Sequence, residues 1–315
     1  MDDRALLQRL IQGPATGDAL ASAAGQTRAA VWKRIEALRE AGVAIEAKPG
    51  RGYALAQPLD LLDADAIRAA LPAAARARLA ELEVAWSLDS TNTELLRRPT
   101  PVEGALVLLA ERQTGGRGRR GRVWASPLAA HLYLSLARTF GGGLARLGGL
   151  SLVAGIAAVE ALQGLGHAAV RLKWPNDLVV VDRTGLRKLG GLLIEGGGEY
   201  AGPARAVIGL GLNVRMPAAA AATALRDTVA AAVLARLLPA LDEFDRFGLD
   251  PFLDRYAVFD ALAGQPVSVH GADARHDGVA LGLADDGALR VRLGDGEERR
   301  FHAGEVSVRR VEPER

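Results

Sequence analysis

Between two apolar runs, Ala105–Ala110 (ALVLLA) and His131–Ala137 (HLYLSLA), the chain carries QTGGRGRRGRVW at Gln113–Trp124, with four glycines and four arginines. The apolar runs read as buried strands, so the segment between them must leave a sheet and return to it as a structured loop. Glycine lets a backbone approach a ligand closely or take φ > 0, and guanidinium forks pair with carboxylate or phosphate oxygens. The span Arg112–Val159 holds seven arginines and no acidic residue, in a chain with 39 basic against 37 acidic residues. An anion-binding loop is the expectation. Gly116, Gly118 and Gly121 satisfy G-x-G-x-x-G, but Val123–Pro127 opens no amphipathic helix and the next acid is Glu160, so the dinucleotide fingerprint lacks its context. Similar Arg-Gly segments also occur in disordered nucleic-acid-binding tails, a reading that the flanking strands disfavour.

At 315 residues the chain is long enough for two or three domains with substantial cores. It has no cysteine, which excludes disulfides, thiolate zinc sites and cysteine nucleophiles. The five histidines (131, 167, 270, 276, 302) show no ligand spacing, and no metal site is expected. Acidic residues stand where a signal peptide would be positive, and no apolar run reaches the roughly 18 residues of a membrane span, so a cytoplasmic protein is expected. With a net charge of +2, any nucleic-acid contact must come from a local patch. Only four basic residues are lysines, Lys33, Lys48, Lys173 and Lys188. In a chain that otherwise uses arginine, they mark places where a compact ammonium on a flexible stem has a use.

Helical periodicity covers residues 4–12; Thr16 caps a helix over 17–24, and Thr27 caps another over 28–41. VAIEAK, the turn PGRG and YALA then read as a hairpin, which gives a winged helix-turn-helix. Thr27–Arg51 has six basic and three acidic residues, a net of +3. Thr27, Arg28, Trp32, Lys33, Arg34, Lys48 and Arg51 are the candidate DNA contacts, made mainly to phosphate; the alternative is a winged helix used for protein contacts or domain packing. The expected domains are 1–62, 63–263 and 264–315. Over the central part the pattern predicts a helix at 67–79, a strand at 82–86, a helix from about Thr93 capped by Ser90-Thr91-Asn92, and a long buried helix at 147–165. A hairpin of 178–182 with 186–195, a strand at 206–213 and helices at 227–238 and 241–247 follow. From Gln265 short strands with Gly/Asp turns suit a small β-barrel.

Four motifs carry chemistry-bearing residues: DSTN (89–92), the Arg-Gly loop, KWPND with KLGG (173–177, 188–191) and GLGLN (209–213). Singly, each also reads as an ordinary cap or turn. The glycines of KLGG and GLGLN suggest close approach of a flat ligand to a sheet. In this order the set resembles the biotin protein ligases, specifically the bifunctional bacterial type that also represses the biotin operon, and the resemblance spans nearly the whole chain. It implies an α+β fold: a winged helix-turn-helix, a mixed-sheet ligase domain shared with lipoate ligases and class II synthetases, and an SH3-like C-terminal barrel. It also implies a two-step acyl transfer from biotin and ATP, with Mg²⁺ on the nucleotide, through biotinyl-5'-adenylate to a lysine of a biotin carboxyl carrier protein.

Carried over residue by residue, the resemblance gives Ser90, Thr91, Asn92 and Gln113 to the biotin ring. Gly116, Arg117, Gly118 and Arg119 go to the loop that folds over biotin and the adenylate, and Gly191 and Gly209 to the biotin tail. Arg122, Asn176 and Asn213 go to the nucleotide, and Arg119 and Lys188 to both biotin and ATP. Lys188, Arg119, Asp177 and Lys173 form the catalytic set, with Asp177 orienting or deprotonating the acceptor lysine. Operator DNA and a ligand-promoted homodimer are the further partners implied. Two departures stand out: 216–226 (MPAAAAATALR) lacks the aromatic that covers adenine in the family, and Val123 replaces a frequent lysine. The departures keep two alternatives open: a biotin-sensing repressor without transfer, and a ligase that no longer represses.

Overall fold

A computed structural model describes residues 1–183, 185–198, 202–214, 226–271, 274–303 and 307–310. The N-terminal unit comprises α1 (Asp3–Ile11), α2 (Gly17–Ala24), α3 (Arg28–Glu40) and the antiparallel hairpin of β1 (Ile45–Lys48) with β2 (Gly52–Leu55). Each helix starts where a side-chain oxygen accepts a free backbone N–H: Asp2 from Ala5 at 2.8 Å, Thr16 from Ala19 at 3.1 Å and Thr27 from Ala30 at 3.2 Å. Leu6, Leu7, Leu10, Leu20, Val31, Ile35 and Leu38 bury the facing stripes. The unit rests on the central part through Leu128 and Ala129, which join its apolar cluster. Leu128 N–H donates to Ala41 O at 2.8 Å, and a side chain on Gly42 would come within 2.6 Å of the Pro127 ring.

The central part runs α4 (Ala64–Ala70), α5 (Ala73–Arg76), β3 (Leu79–Ala85), α6 (Thr91–Arg97), β4 (Ala105–Ala110), β5 (Leu132–Phe140), α7 (Leu150–Gly164), β6 (Val170–Lys173), β7 (Asp177–Asp182), β8 (Gly185–Gly198), β9 (Ala204–Leu212), α8 (Arg226–Phe247) and α9 (Asp250–Phe259). Its seven-stranded sheet has the order β3-β4-β5-β9-β8-β7-β6, antiparallel except for the β3–β4 pair. One face is covered by α7 and α8. α7 is apolar on all sides because it lies between the sheet and α8, with eleven of its residues buried.

Three expectations are corrected. The helix expected over 67–79 breaks at Leu71, because a residue before proline is pushed to extended backbone, and its last residue opens β3 instead. The two helices expected at 227–238 and 241–247 are one, with Pro239 inside. Burial of Leu237, Leu238, Ala240, Leu241 and Phe244 outweighs the roughly 3 kcal/mol that an interior proline costs. α7 begins at Leu150 rather than 147, after Gly149 at φ 85°. The strand β6 and the helix α9 were not anticipated, although Pro251 in the first turn of α9 is a start signal.

The C-terminal part is a five-stranded antiparallel sheet of β10 (Pro266–His270), β11 (Arg275–Leu283), β12 (Leu289–Leu293), β13 (Glu298–Phe301) and β14 (Ser307–Arg310), ordered β13-β12-β11-β10-β14. Trp174 of KWPND, buried among the core residues, donates its indole N–H to Gly287 O at 3.1 Å, so this sheet is fixed against the central one.

A buried ionic knot ties the parts together. Arg226, 1% exposed, lies 2.8 Å from Glu111, 0% exposed, and 3.2 Å from Asp60. The other Glu111 oxygen accepts Leu62 N–H at 2.6 Å. Burial raises the Glu111 pKa, with Arg226 and the Leu62 N–H opposing. Replacing Glu111 with Ala takes one of the two carboxylates from a buried guanidinium and the acceptor from the Leu62 N–H. It is expected to cost about 3–5 kcal/mol in chemical denaturation, where a surface pair would cost under about 1 kcal/mol.

Candidate active site

On the sheet face away from α7 and α8, strand register alone lays out a floor. Residues paired across strands point to the same side. One row reads Lys173, Asp177, Gly191, Gly211 and Tyr133; the next reads Leu193, Gly209, Ser135 and Leu108. All of these except Leu108 line a cavity of about 410 Å³. Lys188 would face the opposite side from Gly191 in a regular strand. A register shift puts Leu178 opposite Gly190 and Val179 opposite Lys188, leaving Leu189 as an extra residue. This bulge re-aims Lys188 onto the floor. Its Nζ lies 2.7 Å from Asp177 Oδ1 and 5.4 Å from the centre of the Trp124 ring. Burial lowers the Lys173 pKa, Asp177 opposes, and Lys188, Arg309 and Arg122 add to the lowering.

At one end of the floor the start of α6 forms a polar wall. Ser90, Thr91 and Asn92 are buried, and Ser90 accepts Thr93 N–H as the helix cap. Gln113 Oε1 accepts the Thr91 N–H at 2.8 Å and its hydroxyl at 3.1 Å. The Ser135 hydroxyl lies 2.7 Å from Thr91 Oγ1 and 2.6 Å from Asn92 Oδ1, and the Asn92 amide donates to Glu195 at 2.9 Å. Apart from the Glu195 carboxylate bonded to Asn92, this is a net of neutral donors and acceptors, which suits a neutral polar ligand group. The glycines have a different use from the one their spacing suggested. A side chain on Gly209 would overlap Asn92, and one on Gly211 would stand 2.6 Å from the Trp124 indole. They make room for these two side chains, which in turn shape the cavity.

The other end is cationic. The Arg-Gly segment is a small hairpin: Gly118 N–H donates to Arg122 O at 2.7 Å and Trp124 N–H to Gly116 O at 2.9 Å, around a tip with Arg120 at φ 58°. Arg119 donates to Asn176 Oδ1 at 3.1 Å and to Ala303 O of the C-terminal part. Burial lowers its pKa, as does the charge of Arg120. Among the described residues the lining holds seven cations (Arg117, Arg119, Arg120, Arg122, Lys173, Lys188 and Arg309) against a single carboxylate, Asp177. A cavity so unbalanced is built for an anion with several oxygens.

Of the residues singled out in the sequence, Ser90, Thr91, Asn92, Gln113, Arg117, Gly118, Arg119, Arg122, Lys173, Asn176, Asp177, Lys188, Gly191 and Gly209 all line this cavity. Gly116 lies behind it against Trp124 O and Ser126, and Asn213 lies past the end of β9, with its N–H on Leu189 O at 2.8 Å. The segment 216–225 falls outside the described residues. Trp124, Tyr133, Ser135 and Arg309 were missed as lining residues. Ser135 was legible only as an odd polar residue inside an apolar strand, and Arg309 lies on the last strand, far from any motif. The winged helix exposes Thr27, Arg28, Trp32, Lys33, Lys48 and Arg51. Arg34 is turned toward α1 and pairs with Asp3 at 2.6 Å. Among the described residues no group of three or more His, Cys, Asp or Glu could hold a metal, and no helix is long and apolar enough to cross a membrane.

Comparison with known proteins finds three matched regions along the chain. Residues 84–213 match the Biotin/lipoate A/B protein ligase family, residues 3–54 an HTH domain and residues 263–309 the Biotin protein ligase C terminal domain. The chain is 38% identical over 311 residues to the Bifunctional ligase/repressor BirA of Salmonella typhimurium, covering 94% of each. The Escherichia coli protein of the same name gives the same identity and coverage. The solved biotin protein ligase of Aquifex aeolicus, in complex with biotin and ATP, aligns with a TM-score of 0.61 at 25% identity, covering 74% of this chain and 100% of that one.

Because the missing side chain at Gly211 is what admits Trp124, Gly211→Ala is expected to displace the indole from the cavity. The measurement is the fluorescence difference between each chain and its Trp124→Phe partner; an unchanged difference would refute the packing argument.

Proposed function

The chain belongs to the family of bifunctional biotin protein ligases and repressors, and from that premise we propose how its cavity divides the work of acyl transfer. The protein is an ATP-dependent ligase that uses biotin and, with the nucleotide, Mg²⁺, and it carries a DNA-binding repressor module. The observation behind our assignment is the two-ended cavity: a neutral hydrogen-bonding wall at one end and a cluster of cations at the other, joined by a glycine-floored trough. Biotin has a neutral ring at one end and a carboxylate at the other, and ATP brings the phosphates. We retain 1–62 as the DNA-binding part, 63–263 as the catalytic part and 264–315 as the C-terminal sheet.

In this reading Ser90, Thr91, Asn92 and Gln113 hold the ring, and Gly191 and Gly209 line the path of the tail. Lys188 brings the biotin carboxylate to the α-phosphate. The carboxylate oxygen forms a bond to phosphorus as pyrophosphate leaves, and Lys173, Arg119 and Arg122 offset the charge on the phosphates. Asn176 and Asn213 lie near the nucleotide, and the Trp124 face supplies an aromatic surface that 216–226 lacks. In the second step the carrier lysine's amine attacks the acyl carbon, AMP leaves, and Asp177 orients the incoming amine. With no acidic cage among the described residues, Mg²⁺ fits as an ion carried on the phosphates. It supplies charge neutralisation there. Gly116, Arg117, Gly118 and Arg119 close over the bound intermediate and exclude water.

The winged helix then faces operator DNA through Thr27, Arg28, Trp32, Lys33, Lys48 and Arg51, with Arg34 holding α3 to α1. A dimer matches the symmetry of a palindromic site.

Measurements on the ligase and on the repressor test this reading. Intact mass of an apo carrier domain incubated with the protein, Mg-ATP and biotin is expected to rise by one biotinyl group only when ATP is present. Lys188→Ala is expected to lower the adenylation rate by about 100-fold or more, the scale of losing one charge-stabilising donor; wild-type turnover would remove Lys188 from its role. For the repressor, an operator fragment is expected to shift on a gel more strongly with biotinyl-adenylate present. Its affinity should fall steeply between about 50 and 200 mM salt, because phosphate contacts release counterions.

A further inference from the structure

We infer that Glu195 is the latch that holds the Arg-Gly hairpin closed against the ring end of the cavity. The inference rests on the ligase reading above. Glu195 lies on β8 two residues beyond Leu193, in the row that pairs with Val207, Ala137 and Leu106, on the same sheet face as the floor. Its two carboxylate oxygens are divided between two motifs. Oε2 accepts the Asn92 amide at 2.9 Å, which fixes the direction of that amide in the polar wall. Oε1 lies 3.4 Å from Arg117 Nη2, and the same nitrogen donates to Thr93 Oγ1 at 2.9 Å. Arg117 stands at the stem of the hairpin, bridged to Val123, so holding Arg117 sets the pose of the tip with Arg119, Arg120 and Arg122.

The balance of strengths suits a latch. Asn92 is 4% exposed, and its bond to Glu195 is well placed to persist. The Arg117–Glu195 pair, with side chains 46% and 26% exposed, is long and reached by water, so it opens at little cost. Glu195 is therefore a positioning residue acting through Arg117 and Asn92. When the hairpin opens over a formed adenylate, water adds to the acyl carbon, the acyl–phosphate bond breaks, and biotin and AMP are released in place of transfer.

The experiment compares the full-length wild type, Glu195→Gln, Arg117→Leu and the double variant, with an apo carrier domain, Mg-ATP and biotin. The readout is AMP released per biotin transferred, together with kcat and the KM for biotin. Glu195→Gln keeps an oxygen for Asn92 and removes the charge that holds Arg117. It is expected to raise AMP per transfer about fivefold and to raise KM more than it lowers kcat, the scale of one weak charged contact. Arg117→Leu, on an exposed side chain, is expected to give the same rise, and the double variant no more than either alone. About 0.5 M salt is expected to raise the wild-type ratio and leave that of Glu195→Gln unchanged. A wild type that transfers biotin, with an unchanged ratio in Glu195→Gln or with multiplying effects in the double variant, overturns the latch. A wild type that transfers nothing overturns the ligase reading itself.

Discussion

The buried contact between Arg226 and Glu111 fixes more of this protein than its size suggests. Glu111 follows the last residue of β4 and opens the segment that leads to the Arg-Gly hairpin; Arg226 is the first residue of α8; Asp60 and Leu62 belong to the connection from the winged helix. Two charges taken out of water are favourable only where geometry and further hydrogen bonds compensate. Here Leu62 N–H, the Asp60 carboxylate and carbonyl, and His131 O share the remaining donors and acceptors. The contact adds little net stability over an apolar replacement, but it admits one arrangement of the three segments. Desolvation enforces that arrangement, because any slip leaves a bare charge inside.

Given that frame, the cavity is largely a matter of sheet register. The floor residues come from β6, β7, β8, β9 and β5, spread over some eighty positions of sequence, and meet because each is opposite the next. The single extra residue at Leu189 decides whether Lys188 belongs to the cavity at all. The close approaches at Gly209 and Gly211 place Asn92 and Trp124, so two floor positions without side chains determine what the walls look like.

Much of this was legible in the sequence, and the reasons differ by region. The N-terminal helices matched almost to the residue because each has a capping side chain and an apolar stripe, both local signals. The motif residues stood out because glycines and arginines cluster in the Arg-Gly loop without acidic residues, and because two of the chain's four lysines fall in KWPND and KLGG. Local signals failed where packing overrode them, as at Pro239 inside α8, and where a short strand had no pattern long enough to read, as at β6. Ser135 and Arg309 were invisible for another reason: their place in the cavity depends on pairing and on docking of a distant sheet. Glycine spacing in GLGLN announced close contact correctly but could not say with what.

The seat of the N-terminal unit has a mechanical side. Trp124, at the stem of the hairpin, and Leu128, whose N–H is held by the end of α3, are four residues apart, a reach of at most about 14 Å. Within that span Ser126 is held to Trp124 O and to Gln113, and the ring of Pro127 sits in the space left by Gly42. Such a tether is short and pinned along its length. The end of α3 and the stem of the hairpin that lines the cavity are therefore held within one short stretch of chain, whose length limits how far apart they can be.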